Sequence, residues 1–181
     1  MNTKELNSII ERHNHWLRED CDNWEEMRAN LSRANLYGAD LSRAILSRAN
    51  LYGTDLSGAD NIPYIPIACP DSGSFIGWKK AKCKTKAGWY DGLVKLFIPS
   101  DAKRSSATTR KCRCNKATVL SLELINTDPS LEIDCACSNY DPDFVYRVGD
   151  HIKVPNFDDD RFHECAPGIH FFINKQEAID Y

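Results

Sequence analysis

The chain lacks the long apolar run that a membrane-spanning helix requires. It has 181 residues, of which 42% are hydrophobic and 27% charged, and no window approaches the run of about eighteen apolar residues that a membrane span needs. It begins MNTKEL, without the charged and then apolar segments of a secretion signal. We therefore expect no membrane partner and a cytoplasmic location.

Glycine is sparse, and its placement excludes one large class of nucleotide-binding protein. The nine glycines form no G-x-G-x-x-G pattern, and strands and helices do not alternate as they do in a doubly wound fold. Disorder is excluded too, because four tryptophans, seven tyrosines and seven phenylalanines are too many for a solvated chain.

The eight cysteines are unlike a disulfide framework, because no secretion signal precedes them. Two Cys-x-Cys pairs stand out, Cys112 with Cys114 and Cys135 with Cys137. Four thiolates suit tetrahedral zinc, although zinc knuckles usually place two to four residues between paired ligands. In a strand, residues i and i+2 share a face, so each pair also fits a packed core. The sequence favours no cofactor and leaves zinc open.

A repeat of five residues is the strongest signal in the sequence. From Met27 the chain reads MRANL SRANL YGADL SRAIL SRANL YGTDL SGADN, with leucine at every fifth position and a small residue two positions before it. A period of five fits neither a helix, with 3.6, nor a strand, with two. It predicts a tightly wound solenoid in which leucines and small residues point inward and polar residues face water.

These units resemble the pentapeptide-repeat family, whose motif is A-(D/N)-L-x-x. The resemblance covers residues 27–61 and implies a right-handed quadrilateral β-helix with four pentapeptides per coil. Seven repeats make fewer than two coils, so both open ends require caps. Residues 3–18 predict one cap, since these residues have the spacing of an amphipathic helix: Leu6, Ile9, Ile10, His13 and Leu17.

After the repeats, Pro63 and Pro66 interrupt any regular ladder and predict an extended connector. Short strands are predicted at 75–79, 93–98, 144–148, 151–154 and 168–173. Residues 111–124 suit one long strand or a bent pair, and a short helix begins at Lys175. The fold class is therefore mainly β. Its parts are a capping helix (1–26), the solenoid (27–61), the connector (62–74) and a β-rich α+β domain (75–181).

The last of these parts resembles the uncharacterised domain that follows pentapeptide repeats in phage and prophage proteins. The matching segments are FIGWKKA from Phe75, AKRSSA from Ala102, KCR from Lys111 and CAPGIHFF from Cys165. The resemblance implies a phage or bacterial origin and a bacterial host cell. It implies no particular activity.

Charge is distributed unevenly in the C-terminal half. Residues 79–116 hold twelve lysines and arginines against two acids, and residues 123–181 hold thirteen acids against four bases. The basic loop at 103–111 carries hydroxyls and no bulky side chain, which suits a phosphate site. Its expected contacts are Lys103, Arg104, Arg110, Lys111 and Arg113. The alternative is that the acidic segment neutralises the basic block.

Two further patterns point to an enzyme. Cys165 with His170, and an acid from 158–160, would form a thiol nucleophile with its base. The strand at 168–172 also loosely resembles a segment of ADP-ribosyl transferases, which implies an NAD-like ligand. The strand that carries the catalytic glutamate in those enzymes has no counterpart here, so this second pattern implies a degenerate enzyme.

Together these patterns favour a non-enzymatic binding protein of phage or prophage type. Its C-terminal domain would engage a host macromolecule or a nucleotide-like ligand, in order to counter host defence. Nucleic acid is a less favoured partner, and the flat repeats suit a homodimer. A DNA-mimicking gyrase binder is disfavoured, since residues 28–60 sum to +1 and the rod is short.

Overall fold

The computed structural model describes residues 1–42 and 44–181, which divide into two compact units. The first unit comprises 1–66 with the short segments 107–109 and 160–164, and the second comprises 67–106, 110–159 and 165–181. No helix in the described ranges is long and apolar enough to cross a membrane.

The described residues form these elements, in chain order. They are helix α1 (Thr3–Arg18), a 3-10 helix (Trp24–Met27), strands β1 (Phe75–Thr85), β2 (Gly88–Ile98), β3 (Arg104–Ser106), β4 (Cys112–Cys114), β5 (Lys116–Leu124), β6 (Ile133–Cys137), β7 (Val145–Tyr146), β8 (His151–Lys153) and β9 (Ile169–Phe171), and helix α2 (Lys175–Asp180).

The predicted N-terminal helix is confirmed as α1. Asn2 and Glu5 form a capping box, in which each side chain accepts a hydrogen bond from the other residue's backbone N–H. His13 is fully buried; its Nδ1 accepts from the backbone N–H of Ala29, so its Nε2 donates to the carbonyl of Ser47, at 3.0 Å. These two bonds join α1 to the repeats within the first unit.

The repeats stack at intervals of twenty residues. Parallel bridges join Asn30 to Asn50, Asn35 to Asp55 and Asp40 to Asp60. Twenty residues are four pentapeptides, so each repeat lies beside the one four units later. The leucines Leu31, Leu36, Leu41, Leu46 and Leu56 are buried and form the core of this unit with Leu6.

The polar position of each repeat builds the corner. Carboxylate or amide oxygens of Asn30, Asn35, Asp40, Asn50 and Asp55 each accept the backbone N–H two residues ahead, as in an Asx turn. The corner also needs a left-handed residue. Among the described residues, glycine supplies it at three corners and arginine at two, with φ between 59° and 69° at Arg33, Gly38, Arg48, Gly53 and Gly58.

The second unit contains two antiparallel sheets. Six strands pair in the order β7-β6-β1-β2-β5-β8, and three in the order β3-β4-β9. β1 and β2 pair along their whole length from Phe75 opposite Ile98 to Thr85 opposite Gly88. Residues 111–124, predicted as one strand or a bent pair, are two strands in different sheets, because β4 pairs with β9 and β5 with β2.

Buried side chains from both sheets form the core of the second unit, with Val94, Leu96 and Ile98 of β2 fully buried beside Ile169 and Phe171 of β9. Backbone hydrogen bonds of 2.7 Å in both directions also join Trp78 of β1 to Phe172, directly after β9. These contacts place the first half of β1 against the segment that contains β9.

Candidate functional site

A cavity of about 530 Å³ lies within the second unit, a size suited to a small-molecule ligand. Its wall combines ionisable and aromatic side chains. The ionisable ones are Lys79, Lys80, Lys111, Asp141, Cys165 and His170, and the aromatic ones are Tyr140, Phe144, Tyr146, Phe172 and Tyr181. Three lysines against one aspartate make the cavity positively charged.

Lys79 reaches the cavity because of the alternation along β1. Gly77, Lys79, Ala81 and Cys83 are buried at every second position, so the lysine occupies a place on the inner face of the sheet. Its side chain is 9% exposed. Lysine is seldom buried to this degree without a partner.

No hydrogen bond or ion pair engages the Lys79 ammonium among residues 1–42 and 44–181. Burial, and to a smaller degree the charge of Lys111, lower the pKa of Lys79 to about 8. The cavity therefore holds a lysine whose charge is poorly compensated by the protein itself.

Lys111, Cys165 and two tyrosines form a second cluster on the cavity wall. The Lys111 ammonium donates to the Cys165 thiol at 3.7 Å and lies 5.6 Å from the centre of the Tyr181 ring. The Tyr140 hydroxyl donates to that of Tyr181 at 3.4 Å, and this bond raises the pKa of Tyr140. Phe172 packs against Tyr181 with ring centres 5.2 Å apart.

Arg113 supports this wall from inside the protein. It is 2% exposed, and its guanidinium donates to the carbonyls of Asp158 at 2.7 Å and Pro167 at 3.1 Å. Gly168 lies so close that a Cβ there would come within 2.3 Å of the Arg113 Cγ. Arg113 also pairs in register with His170 between β4 and β9. It therefore positions the segment that carries Cys165 and His170.

Of the five basic residues expected to bind phosphate, Lys111 alone lines the cavity. Lys103 pairs with Asp159 at 2.7 Å, and Arg110 pairs with Glu177. The Arg104 guanidinium donates to the carbonyls of four residues, which are Gly73, Pro99, Ser100 and Ala102. The structure does not bring these five cations together into one loop site.

The four thiols of the zinc alternative do not gather either. Cys112 and Cys114 lie in the three-stranded sheet, whereas Cys135 and Cys137 lie in β6 of the other sheet. Burial raises the pKa of Cys114 to about 12, which opposes the thiolate that zinc requires. Among the described residues, one group of side chains could hold a metal ion. It consists of His15, Asp20 and Cys21, whose ligand atoms lie within 4.8 Å of one another.

The structure does bring Cys165 and His170, proposed as a nucleophile and its base, to the same cavity. Of the acids considered with them, Asp159 pairs with Lys103, and the carbonyl of Asp158 accepts from Arg113. The strand that resembles the NAD site of transferases, 168–172, contributes Gly168, His170 and Phe172 to the wall.

Sequence reasoning missed Lys79 and the tyrosines of the wall. A signal for Lys79 existed, since Gly77, Ala81 and Cys83 alternate with charged residues, and Lys79 takes the place of a small core residue in that pattern. No comparable signal marks Tyr140 and Tyr181, because 41 residues separate them and only tertiary folding joins them.

The chain belongs to a family of unknown function, DUF5758, whose model matches residues 65–178. That match contains every residue of the cavity wall except Tyr181. The pentapeptide-repeat model matches residues 27–60 in eight copies. The family resemblance drawn from the repeats is thereby confirmed, with one more copy than the seven units counted.

Over 98 residues the chain is 30% identical to an uncharacterized protein of Acanthamoeba polyphaga mimivirus. The aligned part makes up 50% of this chain and 62% of that protein, so the chain spans less than two thirds of this relative. No solved structure matches the chain.

Proposed function

We propose that the second unit binds a small anionic ligand with a planar group, such as a nucleotide, in the cavity of Lys79 and Lys111. The observation that carries this proposal is Lys79 itself, a residue with 9% exposure whose ammonium lines the cavity and has no hydrogen-bond or ion-pair partner in the described chain. Burying an unpaired charge costs several kcal/mol. An anionic group bound beside Lys79 would offset that cost.

The remainder of the wall fits the rest of such a ligand. Tyr140, Phe172 and Tyr181 offer flat apolar surface, on which a base or another ring can stack. Lys111 contacts the Tyr181 ring of this aromatic group, and its charge lowers the pKa of Lys79. The two lysines would therefore bind the phosphate, and the aromatic side chains of the same cavity would contact the ring.

The same proposal includes the biological setting. A cytoplasmic protein of phage or viral type would use this cavity to withhold a ligand from host defence, without converting it. The relative from Acanthamoeba polyphaga mimivirus supports a viral setting. Eight free cysteines are consistent with a reducing compartment.

We also infer that the repeats form a short right-handed quadrilateral β-helix. Three parallel bridges at intervals of twenty residues support four pentapeptides per coil, and α1 supports a cap at one end.

Calorimetric titration of the intact protein tests the ligand. We expect AMP to bind and adenosine, which lacks the phosphate, to bind at least tenfold more weakly, because a charge-assisted hydrogen bond contributes about 1.5–3 kcal/mol. Lys79→Met and Lys111→Met should each weaken AMP binding to a similar degree. Lys86→Met is the matched control, since Lys86 is exposed and pairs with Glu132 at 3.2 Å.

Equal affinity for AMP in the wild type and in both cavity variants would contradict the proposed site. So would the absence of binding by any nucleoside phosphate in a panel that varies the base.

A second candidate function, a thiol enzyme, is favoured by one contact. Cys165 is exposed, lines the cavity with His170, and accepts a hydrogen bond from Lys111 at 3.7 Å. A nearby cation favours a thiolate. We expect Lys111→Met to slow the alkylation of Cys165 by iodoacetamide, because the variant removes the ammonium that contacts the thiol. Equal alkylation rates in the wild type and in Lys111→Met would contradict this candidate.

A further inference from the structure

The amine of Lys79 is placed to react as well as to bind. We propose that Lys79 captures the carbonyl carbon of an anionic aldehyde or ketone as a reversible imine, while Lys111 holds the ligand's acidic group. This inference rests on the proposed function, because it assigns chemistry to the same cavity and narrows the class of ligand.

The position of Lys79 meets the geometric requirements for imine formation. Its side chain lines a cavity of about 530 Å³, which leaves room for a ligand carbonyl beside the amine. No acceptor among the described residues engages Nζ, so its lone pair is not committed once the proton leaves.

Only a neutral amine attacks a carbonyl, and two features of the cavity favour that form. Burial and the charge of Lys111 lower the pKa of Lys79 to about 8. At neutral pH the neutral fraction is therefore on the order of a hundredfold greater than for an exposed lysine. A lysine in an apolar pocket beside another cation is an established way to obtain a nucleophilic amine.

The other two lysines of the cavity are less suited to this role. Lys80 donates through Nζ to the carbonyl of Ile179 at 2.8 Å. Lys111 contacts the Cys165 thiol and the Tyr181 ring, and its charge is the one that favours neutral Lys79. In this cavity Lys79 therefore reacts as a neutral amine, and Lys111 binds the anionic group as an ammonium.

The chemistry balances without an oxidant or reductant. The Nζ lone pair forms a bond to the carbonyl carbon, and the C=O π pair moves to oxygen, which takes up a proton. The nitrogen loses one proton to give the carbinolamine. The carbinolamine hydroxyl takes up a second proton and leaves as water while the C=N bond forms, and the resulting iminium releases its N–H proton. His170 and the Tyr140 hydroxyl lie on the same wall and can accept or supply these protons. The net change is amine plus carbonyl to imine plus water.

Pyridoxal phosphate is a suitable probe because it is an anionic aldehyde on a flat ring. Pyridoxine phosphate is its matched control, with the same ring and phosphate and an alcohol in place of the aldehyde. The intact protein is mixed with either compound and treated with borohydride, which reduces an imine to a stable amine. Peptide mass spectrometry then measures modification of each lysine. We expect Lys79 to be modified at least tenfold faster than exposed Lys86, because more of it is neutral.

Three variants connect the result to Lys79. Lys79→Arg keeps the positive charge and should lose the reduced adduct. Lys86→Arg is the matched control at an exposed site and should keep the adduct on Lys79. Lys111→Met should lose most of the selectivity for Lys79, because both the anion contact and the neighbouring charge are removed. Circular dichroism of each variant establishes that it is folded.

The outcomes separate this inference from the function on which it rests. If both probes bind in the cavity and no adduct forms on Lys79, the imine is overturned and ligand binding stands. If neither probe binds and the reduced adduct is spread evenly over exposed lysines, the imine and the proposed ligand binding are both overturned for this class of anion. Selective modification of Lys79 with pyridoxal phosphate, lost in Lys79→Arg, supports both.

Discussion

Arg113 and Lys79 are both buried residues with a positive charge, but they differ in the hydrogen-bond partners of their charged groups. The guanidinium of Arg113 has its hydrogen-bond donors directed at backbone carbonyls, so its charge serves the fold. The ammonium of Lys79 has none of these partners. At the scale of the residue, the partner rather than the charge marks the candidate site.

The titration of Lys79 leads to a prediction about stability and pH. Its pKa is about 8 in the folded protein against 10.5 for the free side chain. Below pH 8 the Lys79 amine is protonated in both the folded and the unfolded state, so the folded protein bears the full free-energy cost of burying the charge. Between these two values the unfolded state binds more protons than the folded state, so stability rises with pH.

We therefore expect Lys79→Met to be more stable than the wild type at pH 7, by up to about 3 kcal/mol. Most of that difference should be gone at pH 10. Urea unfolding of both proteins at the two pH values measures it, and all other titrating groups cancel between them. An equal difference at pH 7 and pH 10 would show that Lys79 does not titrate in this range.

At the scale of the element, one five-residue unit combines three physical devices. Leucine supplies the core, and the Asx turn and the left-handed residue together form the corner. Two positions depart from the repeat pattern. Thr54 replaces the small residue and donates its hydroxyl to the carbonyls of Leu31 and Leu51, both at 2.8 Å. Ile45 replaces the polar residue and is 52% exposed.

Leu56→Ala tests the core of this stack. Leu56 is fully buried, and we expect its truncation to lower the unfolding free energy of the repeats by about 3 kcal/mol. Hydrogen exchange of peptides from 27–60 measures the change. Ile45→Ala, which removes similar apolar surface from an exposed site, should change it by less than about 0.5 kcal/mol. Similar losses in the two variants would mean that leucines are not the core of the stack.

At the scale of the whole molecule, side chains of the basic segment pair with side chains of the acidic segment. Ion pairs within the second unit join its basic segment to its acidic one, among them Lys103 with Asp159, Arg110 with Glu177 and Lys86 with Glu132. Such exposed pairs contribute little stability. They do hold Lys103 and Arg110, two of the five cations that the sequence suggested for phosphate, whereas Lys111 lines the cavity.

The distribution of thiols predicts a graded reactivity for the whole molecule. Cys165 is exposed, Cys21 and Cys135 are half-buried, and the other five are buried. Burial also raises the pKa of Cys83 to about 11, which lowers its thiolate fraction further. In native protein we expect iodoacetamide to modify Cys165 first and the five buried thiols only on unfolding. Mass spectrometry of the time course measures the order, and early modification of Cys112 or Cys114 would contradict this burial.

The repeat and helix α1 could be read from sequence, because both depend on local patterns. A five-residue period, an N-cap and apolar spacing need no distant partner to be recognised. Short strands were less well defined. Residues 144–148 were expected as a strand and only Val145–Tyr146 forms one, since pairing with β6 decides its length.

The sequence by itself determined that the first unit contains pentapeptide repeats and that the second is rich in β-strands. Only the tertiary structure decided which cations are available to a ligand. Lys79 of β1, Lys111 directly before β4, and three residues of the C-terminal segment meet in one cavity; those three are Cys165, His170 and Tyr181. The reason is physical, because a charge becomes a binding site or a structural contact according to the partners that folding brings to it, and these partners lie far away along the chain.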